Sequence, residues 1–258
     1  MGNAKKDIKK HLSEANQDYK EVGGWSSFKS GQWLWPIIQK SFSNYWNKAN
    51  VEYFETKYGT KDTEQLAKTL ISVAAKNSAV LGGITGAAIS TDEIVAVATG
   101  GEGGLGLPAN IAIAATGIGA EAISLIRFQL QLVANLGKLY GVPLDPDDPE
   151  DILTILAFAL GGSAADAAGK CGMKVGGKLA GRTAKTVFKK ETLAALKRIA
   201  AKVGVKILQR SIVKYTIPIA SIGIGTGWNY ASTKTVANIA TKHFKQRLRE
   251  VGSERKAT

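Results

Sequence analysis

The chain has 258 residues, 45% of them hydrophobic, which is enough to bury a real core in one large domain or two small ones. A single cysteine, Cys171, excludes an internal disulfide framework and suits a reducing compartment. The charge is unevenly placed: residues 1–167 carry 14 Lys/Arg against 18 Asp/Glu, and residues 168–258 carry 20 against 3, so balances of −4 and +17 make up the net +13. A basic third on a mildly acidic body calls for an anionic partner.

The opening Met-Gly-Asn-Ala-Lys-Lys leads into charge and lacks the apolar run of a secretory signal, so a non-secreted protein is expected. Lys6 stands where a myristoylation motif wants Ser or Thr, so Gly2 is read as unlipidated. Residues 5–20 are polar and helix-prone and read as a loosely held arm. Residues 25–46 gather four of the five tryptophans, Trp25, Trp33, Trp35 and Trp46, with Phe28, Phe42 and Tyr45. Such rings serve either as core or as anchors at the headgroup level of a membrane. This aromatic region and the arm make a first unit, residues 1–60, with a helical domain over 61–251 and a disordered tail at 252–258.

Within that domain Asp62 caps a helix to about Asn77, with Leu66, Leu70 and Val73 on its apolar face. Small apolar residues follow to Ser90, then a new helix start at Thr91–Glu93 and a glycine-rich loop to Pro108. A long helix is predicted over 109–140, closed by Gly141. The loop 142–151 holds three prolines and an acidic cluster, and Asp148 as a helix cap before Pro149 explains these acids better than a calcium loop does. Helical spacing resumes over 150–160, through a lysine-rich stretch to Lys190, over 191–211 and over 217–250. Strand signals are confined to 203–208 and 217–224. The fold class is therefore all-α, a multi-helix bundle with glycine-rich helix–helix contacts, for which the Gly82/Gly86 and Gly223/Gly227 spacings are candidates. The uncharged stretches 103–120 and 215–233 are rich in Gly, Ala, Ser and Thr, and only marginal as spans of a bilayer.

Motifs that carry chemistry are sparse. The two histidines, His11 and His243, lie far apart, and no HExxH, CxxC or GxSxG spacing occurs. Residues 162–171 resemble a phosphate loop, but Ala164 replaces its first glycine and Cys171 its Ser or Thr. Asp92, Glu93, Glu121 and Asp166 are the carboxylates a hydrolase would have to bring together. No catalytic residue, metal or cofactor is assigned. The basic third is more telling: Lys170, Lys174, Lys178, Arg182, Lys185 and Lys189 recur at spacings of three and four, one cationic stripe on a helix. A stripe of this kind suits anionic lipid. It suits nucleic acid less, because few aromatics for base stacking and no reading motif accompany it.

Residues 100–110, Gly-Gly-Glu-Gly-Gly-Leu-Gly-Leu-Pro-Ala-Asn, resemble the glycine-rich signature of the EcsC family at Gly104, Gly106 and Pro108. The following helix with Arg127, its Tyr140–Gly141 ending, the Asp-Pro loop and the run Ile217-Pro218 to Phe244 are similar to that family over about residues 65–250. Asn110 stands where an acid is common there, and residues 25–46 have no counterpart. The resemblance implies a bacterial, membrane-linked setting, and the family has no firmly assigned reaction. The expected function is that of a cytoplasmic protein, peripheral to the inner face of the cell membrane, which binds anionic lipid or a membrane protein complex without catalysis. The alternatives are a membrane-active effector whose glycine-rich segments insert, and a hydrolase using buried carboxylates. Nucleic acid ranks last as a partner, and the oligomeric state is open.

Overall fold

A long helix with few charges calls for burial over most of its surface, and the helix predicted after Pro108 is of that kind. In the computed structural model, which describes residues 2–88, 109–145, 148, 151, 154–156, 158, 189–215 and 221–254, it spans Ala109–Leu139. In chain order the helices are α1 (Gly2–Glu21), α2 (Gly24–Ser30), α3 (Leu34–Lys48), α4 (Val51–Tyr58), α5 (Thr63–Ala88), α6 (Ala109–Leu139), α7 (Lys189–Tyr215) and α8 (Ser221–Glu254). No strand occurs among the described residues, so the chain is all-α. The stretch 203–208, a candidate strand by composition, lies within α7, and 221–224 lies within α8.

Local chemistry sets the helix ends. Gly23 (φ 99°) and Gly31 (φ 73°) bracket α2 in the left-handed region, where a side chain would strain the backbone. The Asn50 side chain accepts a hydrogen bond from the Tyr53 amide at the start of α4 (3.0 Å). Asp62 does the same for Gln65 (2.6 Å) before α5, as its sequence position predicts. Nothing breaks α5 at Asn77, and it continues to Ala88. Gly141 (φ 64°) follows α6, and the Val142 amide returns to the Gly137 carbonyl (2.9 Å).

α6 is the axis of the bundle. α5 and α8 pack along one side of it, and α1 and α3 along another. α7 packs on α2 and α3. The resulting core runs from Phe28, Trp33 and Phe42 through Ile118 and Ile123 to Phe244, so residues 1–60 and the helices after them share one interior. α1 is no loose arm: Ile8, Ala15 and Tyr19 are buried. Arg127 of α6 pairs there with Asp18, whose carboxylate also accepts from Lys40 (2.8 Å).

Glycine contacts hold α5 to α8, and Gly82, one of the four candidates, makes one of them. Gly82 meets Gly225 backbone to backbone, and a Cβ on either would strike the other helix. Gly227 faces open space. A GxxxG spacing marks two glycines on one helix face; which face meets a neighbour depends on tertiary geometry. At its far end α8 reaches Glu254, so residues 252–254 are helical and not part of a disordered tail.

Candidate functional site

Among the described residues of the basic third, α7 carries the most cations. After Glu191 that helix has no acid. Arg198, Lys202, Lys206 and Arg210 follow one another at four-residue steps, and all four side chains are exposed, as is Lys197 beside them. The inner face, Leu196, Ile199, Ala200, Val203, Ile207 and Leu208, is buried in the core. The packing against α2 is close enough that a Cβ on Gly204 would strike the Gly31 carbonyl. Packing therefore fixes the rotation of α7 and turns the cations outward. No ion pair among the described residues joins Lys197, Arg198, Lys202 or Lys206 to an acid. Like charges at i, i+4 on a helix cost a few tenths of a kcal/mol per pair, so folding alone gains nothing from this order.

Of the stripe read from the sequence, Lys170, Lys174, Lys178, Arg182 and Lys185 lie outside the described residues, and Lys189 is the first residue of α7. The same four-residue rhythm continues past it at 198–210, a signal present in the sequence that the earlier run overshadowed.

The four aromatic anchor candidates turn inward. Trp33 is fully buried and stacks on Phe28 with centroids 4.4 Å apart, and Trp35 is 7% exposed. Trp25 and Trp46 are half-buried against the same core, and Lys138 sits 4.5 Å over the Trp46 ring. In this fold Trp33 and Trp35 are unavailable to a headgroup layer, because their surface is spent on the packing of α2, α3 and α6. The fifth tryptophan, Trp228 on α8, is 43% exposed.

Gly104, Gly106 and Pro108 lie outside the described residues, as do Asp92, Glu93 and Asp166. Arg127 is a clamp on α1. Tyr140 donates to Glu64 (3.2 Å), which also pairs with Lys245 (2.7 Å), so it ties α6 to α5 and α8. Burial and the neighbouring Glu64 push its hydroxyl up to about 12. Gly141 is a helix terminator. All three serve the fold. Glu121, the one described member of the hydrolase carboxylates, is buried and accepts from Asn229 (2.8 Å) beside a Thr233–Ser78 bond (2.9 Å). These bonds tie α6, α5 and α8 together.

A groove of about 520 Å³ opens between α1, α4, α5 and α6, with Leu70, Phe128 and Leu132 in its floor and Lys10, Glu14 and Lys57 on its walls. Acids and bases balance along it, unlike α7. No helix among the described residues is long and apolar enough to cross a membrane. No family model matches the chain, and no curated protein or solved structure does.

Proposed function

We propose that the protein binds an anionic membrane surface peripherally, at the inner face of the cell membrane, through the cationic face of α7 and without catalysing a reaction. The observation that carries this reading is the exposed series Arg198, Lys202, Lys206 and Arg210, held outward by a packed apolar face. Each cation close to an anionic leaflet contributes about 1 kcal/mol, so four of them suffice to hold a peripheral protein at moderate salt. The lysine-rich residues 170–189 extend the same charge along the chain, and the resemblance to the EcsC family agrees with a membrane setting.

Co-sedimentation with vesicles containing phosphatidylglycerol tests the role of α7. Replacing Lys202 and Lys206 by Gln is expected to lower the partition coefficient about thirtyfold, the equivalent of about 2 kcal/mol, with the fold intact by circular dichroism. Unchanged partitioning of this double variant would refute the assignment.

A further inference from the structure

The outward face of α8 carries a second feature that α7 lacks. Trp228, Ala231, Thr235, Asn238, Lys242 and Arg249 succeed one another at spacings of three, four and seven, and all six side chains are exposed. They form one face about 30 Å long at 1.5 Å per residue. Of these six, the one large apolar side chain is Trp228, at one end, and the cations are at the other. Small uncharged residues lie between. Leu248, also 43% exposed, lies off this line beside Arg249. No acid occurs in α8 before Glu250.

We propose that this face of α8 lies flat on an anionic bilayer, with the Trp228 indole inserted at the headgroup level and Lys242 and Arg249 on lipid phosphates. The proposal deepens the membrane reading above and rests on it. A protein partner or a second copy of this chain would need a contiguous apolar centre, and among the described residues Trp228 and Leu248 stand about 30 Å apart at 1.5 Å per residue, with small polar residues and cations between them. Single-stranded nucleic acid would need several stacking rings along the basic track. A bilayer interface needs what is present: an amphipathic ring whose N–H stays hydrated, and cations within reach of phosphate. The aromatic anchor thus moves from residues 25–46, where the indoles build the core, to the one tryptophan that the packing leaves outside.

Intrinsic tryptophan fluorescence with vesicles of phosphatidylglycerol and brominated phosphatidylcholine tests this directly. Bromine quenches only indoles near the acyl chains. The wild-type protein is expected to be quenched on binding, Trp228→Phe to lose that quenching, and Trp25→Phe to keep it. Trp228→Ala is expected to lower the partition coefficient about tenfold while salt still releases the remainder. Binding without quenching, or equal quenching in wild type and Trp228→Phe, overturns the inserted indole and leaves the α7 reading standing. A Trp228-dependent dimer in sedimentation, with no quenching, assigns the face to a second copy and overturns it as well. No binding to anionic vesicles at all refutes both.

Discussion

Asp18 and Arg127 are where single side chains hold distant parts of the chain together. Asp18 is 3% exposed and shared between Arg127 and Lys40, so α1, α3 and α6 meet at one carboxylate. Replacing Arg127 by Ala leaves that carboxylate buried with half its compensation. A loss of about 3 kcal/mol is expected, read from the denaturant midpoint. The stacked Trp33–Phe28 pair makes a similar point for apolar packing, and Trp33→Ala is expected to cost about 3–5 kcal/mol. Two tyrosines contribute to the loss of stability at alkaline pH. Burial pushes Tyr19 up to about 12, with a Thr116 hydrogen bond opposing, and Tyr140 is likewise held near 12. The folded chain keeps these protons where the unfolded chain, at its ordinary value near 10, gives them up. Stability contributed by the two hydroxyls is therefore complete below about pH 10 and falls as pH rises toward 12. Tyr19→Phe is expected to flatten that fall in a series of unfolding measurements from pH 9 to 12.

Between helices, glycines decide how close two axes come. At the α5–α8 contact, Gly225→Ala forces a methyl against the Gly82 carbonyl, and a loss of about 1–3 kcal/mol is expected from thermal unfolding. Gly227→Ala, two residues on and facing open space, is expected to gain up to about 1 kcal/mol from helix propensity. The contrast shows which part of the fold was legible. The helix starts at Asp62 and Ala109 and the stop at Gly141 lie where caps and periodicity put them, because those signals act over four or five residues. That Gly225 and not Gly227 faces α5 depends on a rotation set by packing far away in sequence. The spacing of glycines does not record it. The same holds for α1: its many polar residues mask in the sequence a narrow apolar stripe, Ile8, Ala15 and Tyr19, that α6 helps to bury.

At the scale of the whole molecule, the asymmetry between acidic body and basic third becomes a geometrical one. The apolar face of α7 is committed to the core, and no ion pair among the described residues joins Lys197, Arg198, Lys202 or Lys206 to an acid. The charge excess was plain in the sequence, and so was the four-residue rhythm from Arg198 to Arg210. The sequence did not say which aromatic rings stay outside. Four tryptophans clustered near the N-terminus look like an anchor until α2, α3 and α6 close over Trp33 and Trp35, while Trp228, alone in a glycine-rich stretch, carries no pattern of its own. The same packing gives Arg127, Tyr140 and Glu121 structural partners in Asp18, Glu64 and Asn229.

Co-sedimentation of the intact protein with vesicles of graded phosphatidylglycerol content, at fixed and then rising salt, tests membrane binding most directly. Partitioning is expected to climb steeply with the anionic fraction, to be negligible on pure phosphatidylcholine, and to fall as salt shortens the screening length from about 10 Å at 0.1 M to about 3 Å at 1 M. Equal partitioning onto neutral and anionic vesicles, or none onto either, would contradict it.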